Sequence, residues 1–302
     1  MRKKVLVLAN FTSGTGNGKA RLTKIVEALA LRNFEPVIYP ILPASGLTSE
    51  FIMDETTRDY EAILCCGGDG TLNHLINYLV HNDIDLPIAY LPTGSTNDFA
   101  FTLYGQRAVD CDALVDAIVE RKNLVYDVGK INDSYFNYIA AFGSFTGVSY
   151  KTDQNIKNVF GSLAYMLNAI TVLPKELRTS HHLILKSPER TIEGDFLLGA
   201  ISNTTSIGGF TPSIIEHSKL NDGQFEVTLI SKTENVSELY ELLGSMLSGK
   251  PDNKLLTCFH TDRLTIDIDD DCEWTLDGEA GGIIRHADFS LLRERQKIYS
   301  IS

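Results

Sequence analysis

Cysteine is scarce in this chain, positive charge is in deficit, and no apolar stretch is long. The five cysteines (Cys65, Cys66, Cys111, Cys258 and Cys272) are odd in number and scattered, with no CxxC pair. They outline neither a disulfide framework nor a zinc site, and such usage fits a reducing cytosol. A formal net charge of -12 and a pI near 5.0 speak against a general nucleic-acid binder, which needs a basic footprint. The same balance disfavours adhesion to anionic lipid by overall charge, leaving room only for a local basic face. No apolar run approaches the roughly 20 residues of a membrane span. The opening MRKKVLVLA imitates a signal peptide, but its apolar part is short and runs straight into polar residues 10–14. A first core strand is the better reading, so a substrate held in a bilayer has to be met from outside it.

What is present is ordinary for a folded protein: 302 residues, 43% hydrophobic and 22% charged. That length buries a large core and suits two domains. The first part alternates apolar runs at 5–9, 36–40, 60–66 and 87–91 with helical spacing in three stretches. These are Leu22 to Leu29, Leu72 to Val80 and Leu114 to Val119. Continuous apolar runs alternating with helices predict a mostly parallel sheet covered on both faces, which binds ligands beyond the carboxyl ends of its strands. Near residue 124 the pattern changes. Strand-like runs follow at 124–131, 135–140, 182–186, 196–202, 225–231, 264–268 and 273–276, separated by Gly, Asn and Asp turns. Helical stretches around 161–173 and 236–247 interrupt them. The expected division is therefore an α/β domain over 1–123, with a tail near 292–302 able to return to it, and a β-rich domain over 124–291.

Three polar loops follow predicted strands. Residues 10–19, NFTSGTGNGK, offer hydroxyl, amide and N–H donors suited to phosphate. They match neither a Walker A loop, which needs Gly at Ser13 and Ser or Thr at Ala20, nor a dinucleotide fingerprint. Residues 67–73, GGDGTLN, join a buried strand to a helix. Their glycines permit close approach of backbone to ligand, and the helix start offers N–H groups to an anion. Asp69 stands where a metal bound to a polyphosphate could use it. Residues 92–99, PTGSTNDF, form the third loop, with Ser95 as a donor to phosphate or ribose and Asp98 holding a loop or a metal-bound water. A fourth segment, Leu276-Asp277-Gly278-Glu279, ends a strand with carboxylates at a glycine turn. It reads as a solvated hairpin turn, or as a base (Glu279) oriented by Asp277.

Taken in order, NxxSG (Asn10, Ser13, Gly14), GGDGTLN, PxGSxNDF, KLNDGQ at 219–224 and LDGE at 276–279 resemble the diacylglycerol kinase catalytic family, in its soluble bacterial branch. The likeness extends over nearly the whole chain. GGDGT alone is less specific, since NAD kinases and phosphofructokinases carry related loops. The resemblance implies an N-terminal Rossmann-like doubly wound domain and a C-terminal β-sandwich, an arrangement shared with NAD kinases. It implies a cytoplasmic lipid kinase that transfers phosphate from ATP, with Mg2+, to diacylglycerol, meeting the inner face of the membrane transiently. NAD, a sphingoid or prenol lipid as acceptor, or a non-catalytic sensor, are the alternatives. A homodimer stays open.

Carried over residue by residue, the likeness assigns ATP contacts to Asn10, Phe11, Thr12, Ser13 and Gly14, and to Gly68, Asp69, Gly70, Thr71, Leu72, Asn73, His74 and Ser95. The motif positions Gly67, Gly94, Asn97 and Asp98 go with them. Glu279 is the implied proton acceptor, with Asp69 and Asp277 in support. Lys219, Asp222 and Gln224 are the implied holders of a structural magnesium, Lys219 and Gln224 through main-chain carbonyls. The chain departs from the pattern at Phe11 (usually proline), His74 (often glutamate), Ile41 (often a nucleotide-contacting threonine) and Phe101 (often arginine). The acidic run at 267–273 lacks the glycine of an EF-hand and reads as a hairpin turn; His181-His182 reads as a strand start. Residues 142–147 and 161–173 could line an acyl groove or pack as core, and Lys151, Lys157, Lys175 and Arg178 tint that region basic.

Overall fold

The computed structural model describes residues 2–11, 18–56, 59–95, 97–143, 179–204, 219–247 and 253–301. The chain divides into two units, residues 1–126 with 294–302, and residues 127–293. Strands β5 (Asn123–Ile131) and β15 (His286–Tyr299) each run from one unit into the other.

In the first unit, β1 (Lys3–Asn10), β2 (Phe34–Ile41), β3 (Ala62–Gly67) and β4 (Ile88–Pro92) lie parallel in the order β2-β1-β3-β4. Ile298, near the end of β15, pairs in parallel with Ile88. The inner strands are covered on both faces, which is why Val5 to Leu8 and Ala62 to Cys65 are all fully buried and apolar without alternation. The edge strand β2 carries Pro36 and Pro40, which remove donors from an edge that could otherwise recruit another chain. Helix α1 (Gly18–Leu31) packs on α5 (Cys111–Glu120), and α2 (Ser49–Glu55) on α3 (Asp69–His81). Right-handed crossovers place the two pairs on opposite faces. The chain leaves β1 towards β2 on one side and β3 towards β4 on the other. The winding therefore reverses between the carboxyl ends of β1 and β3, and such a reversal opens a crevice there.

The second unit is built around β9 (Thr191–Ser202), which serves two antiparallel sheets. Its first half pairs with β8 (His181–Lys186), and its second half lies between β7 (Ile139–Gly143) and β10 (Phe225–Ser231). One sheet runs β14-β13-β7-β9-β10-β11, with β11 (Leu256–Thr261), β13 (Glu273–Leu276) and β14 (Glu279–Ile283). The other runs β9-β8-β12-β15, with β12 (Arg263–Ile268). The two inner faces share one core, in which the Phe142 ring lies tilted 4.8 Å from Trp274 and Trp274 lies 5.6 Å from Phe289. Helix α6 (Val236–Leu247) has the bounds that its spacing predicts and buries Leu239 and Leu242.

Several expectations change. The run at 135–140 is two strands, β6 (Ser134–Phe136) and β7, interrupted at Asn137 and Tyr138. The acidic stretch after Ile268 is not a hairpin, because β12 and β13 belong to different sheets. Helices α2 and α4 (Asp98–Tyr104), strands β11 and β14, and most of β15 were not expected; they are short, or lack clean periodicity. The expected helix at 161–173 lies outside the described residues. Gly199 shows how tightly the sandwich is filled: a Cβ there would fall 2.1 Å from the Phe142 ring. Gly199→Ala is expected to lower stability by about 1–3 kcal/mol through overpacking, measured by urea unfolding.

Candidate active site

Asn10 ends β1 and Gly67 ends β3, so both stand at the crevice where the winding reverses. The Asn10 side-chain amide donates to Thr71 Oγ1 at 2.9 Å and joins the two strand ends. Helix α3 begins at Asp69 with Gly68 as its cap and no side chain bonded across its start. The first intrahelical bond is made by the Leu72 N–H to the Gly68 carbonyl, at 3.1 Å. The N–H groups ahead of it and the positive end of the helix dipole have the chemistry to receive an anion.

The loop after β4 lies directly against this turn. The Thr93 N–H donates to the Gly67 carbonyl at 2.8 Å. A Cβ on Gly94 would come within 2.6 Å of Gly68 Cα, and one on Gly67 within 2.5 Å of Thr71 Cβ. Gly94 is thus demanded by backbone-to-backbone packing and Gly67 by the Thr71 side chain. Asn97 takes a left-handed conformation (φ 53°) and donates to the Gly94 carbonyl at 3.0 Å. Asp98 is buried and meets Arg107 Nη2 at 3.3 Å. Ser95 is half-buried on the same loop.

The Asp69 carboxylate is engaged by backbone and by a phenol. Its Oδ2 accepts the Asp98 N–H at 2.9 Å, and its Oδ1 accepts the Phe99 N–H and the Tyr90 hydroxyl, each at 3.2 Å. Burial, reinforced by Asp69, pushes the Tyr90 phenol well above its ordinary pKa, so it stays a donor. Asp69 therefore fastens the start of α4 to the start of α3. Two residues assigned to ATP by resemblance have their side chains placed as follows. The Leu72 side chain is fully buried in the core, leaving only its backbone for a ligand. The His74 ring is turned to α2, where Nδ1 lies 3.0 Å from Glu50 Oε1. Asn73 is buried and its Oδ1 accepts from Asn77 at 3.1 Å. Ile41 is buried beside Asn10 in register, while Phe11 is exposed. Thr12, Ser13 and Gly14 lie outside the described residues. Burial pushes the Cys65 thiol up to about 12, so it is no nucleophile.

The second unit holds the other assigned residues. Asp277 and Gly278 both have positive φ (51° and 86°), as a two-residue β13–β14 hairpin requires. Glu279, the next residue, is exposed, and among the described residues no hydrogen bond or ion pair engages its carboxylate. Asp277 does not orient it. The Asp277 carboxylate is buried and, among the described residues, accepts from Asn137 N–H (2.7 Å) and Nδ2 (3.0 Å), Tyr138 N–H (3.0 Å) and Ile139 N–H (3.1 Å). It fixes the hairpin to the strand break before β7. Lys219, Asp222 and Gln224 are exposed on one turn, where the Asp222 carboxylate accepts the Lys219 and Gln224 N–H groups at 3.0 Å each. Sequence reasoning missed Asp127, which fastens this turn. Its carboxylate accepts the Gly223 N–H at 2.8 Å, and its N–H donates to the Leu220 carbonyl. An acid inside the apolar run 124–131 was the available signal.

Asp277→Asn puts an amide donor among backbone donors and should cost about 2–4 kcal/mol of stability, measured by urea unfolding. The His74 hydrogen bond holds Glu50 at about 2, below its usual 4.5. Its stabilisation is present above pH 4.5 and is lost as pH falls towards 2. Melting curves across that window should show a smaller acid dependence for His74→Ala than for the parent chain.

The family model for the diacylglycerol kinase catalytic domain matches residues 4–131. The diacylglycerol kinase of Staphylococcus carnosus is 28% identical over 301 residues, 99% of this chain and 96% of the relative. That of Bacillus subtilis is 28% identical over 283 residues, 93% and 91% of the two chains. A crystal structure of a diacylglycerol kinase from Bacillus anthracis superposes with a TM-score of 0.77 at 21% identity, over 99% of this chain and 97% of that one, and shares the fold. The diacylglycerol kinase of Staphylococcus haemolyticus is 30% identical over 93% of this chain and 84% of its own length; with the glycine turns packed at the β1–β3 crevice, this places the chain in the diacylglycerol kinase catalytic family.

Proposed function

We propose that this protein phosphorylates diacylglycerol with ATP, giving phosphatidic acid. The carrying observation is the packing of the Gly67–Gly68 turn on Gly94 at the end of the Asn10 strand, beside the amino end of α3. Phosphoryl transfer asks mainly for positioned donors around a polyphosphate. The α3 first turn, Ser95 and Asn10 supply such donors, and Asp69 keeps the two loops together. Glu279 accepts the proton of the lipid hydroxyl as the γ-phosphoryl group moves; among the described residues no bond to its carboxylate would have to break first.

The turn at 219–224 suits a hard divalent cation. Among the described residues each Asp222 oxygen accepts one N–H bond, and the Lys219 and Gln224 carbonyls add oxygen donors at an exposed turn. Magnesium bound there would stiffen the turn that Asp127 anchors. Among the described residues no helix is long and apolar enough to cross a membrane. In this reading the lipid is met at the membrane surface through peripheral contact.

Labelled ATP offered with diacylglycerol, sphingosine, a prenol and NAD, the lipids in mixed micelles, should label phosphatidic acid foremost. Glu279→Gln should reduce that turnover by about a hundredfold or more, the scale of general base catalysis, with the melting temperature unchanged. Wild-type turnover in a folded Glu279→Gln chain would remove Glu279 from the reaction; preferential labelling of another acceptor would change the substrate.

A further inference from the structure

Strand β4 carries a hydroxyl where its surroundings ask for none. Its residues, Ile88 to Pro92, are all buried, and a parallel strand covered on both faces is normally apolar throughout. Tyr90 is fully buried at its centre, in register with Cys65 of β3. A buried hydroxyl is costly unless it is bonded, and a phenylalanine ring would fill the same space without that cost. The Tyr90 hydroxyl donates to Asp69 Oδ1 at 3.2 Å. Burial, and after it the nearby Asp69 charge, push the phenol well above its ordinary pKa, so it stays a donor.

Asp69 carries this bond onward. The same Oδ1 accepts the Phe99 N–H at 3.2 Å and Oδ2 accepts the Asp98 N–H at 2.9 Å, so the phenol reaches α4 through the carboxylate. The Tyr90 and Phe99 rings lie 6.5 Å apart, which keeps the first turn of α4 against β4. Asn97, the cap of α4, joins that turn directly to the loop of Gly94 and Ser95. A shift of α4 therefore shifts the loop. The loop has little room to move, since a Cβ on Gly94 would fall 2.6 Å from Gly68 Cα. A second tyrosine gives a comparison. The Tyr104 hydroxyl, at the end of α4, donates to the Tyr90 carbonyl at 3.1 Å and so bonds strand backbone instead of Asp69.

We propose that Tyr90 is a positioning residue for phosphoryl transfer: its hydroxyl orients the Asp69 carboxylate and through it holds α4, with the Gly94–Ser95 loop, at the spacing from α3 that ATP needs. The assignment rests on the kinase reading for the task of the loop. It adds that a side chain buried in the strand interior sets how well the nucleotide fits. Donors ordered in advance by the fold need not be ordered when the ligand arrives, and that saving appears as affinity.

The test compares the full chain with Tyr90→Phe and Tyr104→Phe, each of which keeps its ring and loses one hydroxyl. Steady-state kinetics with ATP and diacylglycerol in mixed micelles, and calorimetric titration with ATP alone, are read on chains that melt cooperatively. Tyr90→Phe should raise the KM for ATP and weaken its binding about tenfold, the scale of one charge-assisted hydrogen bond, with kcat lowered less and the KM for diacylglycerol unchanged. Hydrogen exchange at the Asp98 and Phe99 amides should quicken, because the carboxylate they bond is no longer fixed from the strand side. Tyr104→Phe should lower the melting temperature and leave the KM for ATP near the parent value. ATP affinity unchanged in folded Tyr90→Phe overturns the proposal, whatever its melting temperature, since a tyrosine that only fills the core would behave in that way. An equal loss of ATP affinity in Tyr104→Phe overturns it too, as does a parent chain that binds no ATP. Weaker ATP binding by Tyr90→Phe in a chain that labels no lipid would refute the kinase reading alone.

Discussion

The carboxylate of Asp69 holds the first unit's crevice in shape. It sits in the first turn of α3 and grips the backbone N–H groups that open α4, with the Tyr90 hydroxyl as a third donor. Beside it, the Thr93–Gly67 bond and the close glycine contacts keep the loop carrying Gly94, Ser95 and Asn97 against α3. A charged acceptor on backbone donors in a half-buried place is among the stronger local fastenings available. The close approach of Gly68 and Gly94 is tolerable only because neither has a side chain.

The second unit repeats the device. Asp277 gathers the N–H groups around the break before β7, Asp127 takes that of Gly223, and Asp222 takes two within its own turn. Carboxylates that resemble reactive groups in a motif thus serve here as acceptors for irregular backbone. Irregular backbone near a binding surface cannot satisfy its donors in a helix or ladder, and a short acidic side chain is the compact remedy. Glu279 differs: it follows the left-handed pair of a hairpin, is exposed, and is not spent on such a bond among the described residues. That contrast is the physical reason to separate it from its neighbour two positions earlier.

Much of the architecture was legible. Parallel strands buried on both faces must be continuously apolar, so β1 and β3 stood out. The switch to short runs with Gly, Asn and Asp turns marked the antiparallel unit. The strand that serves two sheets, β9, was read only over its second half, because its first half alternates and looks like a solvated segment. The edge strand β14, with two glycines and an exposed face, carries almost no apolar signal. His74 looked like part of a nucleotide motif; its partner Glu50 comes from a helix of seven residues that the periodicity did not announce.

The residues alone determined where the backbone turns sharply and where it is buried. Glycine is required wherever two chains approach within a Cβ radius, and Asp-Gly sets a tight hairpin by local conformation. Which carboxylates face ligand and which face backbone was decided only by the folded chain. The donors that claim Asp69 lie 21, 29 and 30 positions away, and those that claim Asp277 lie 138 to 140 positions away. No local pattern records a hydrogen bond whose partners meet only after the sheets have formed.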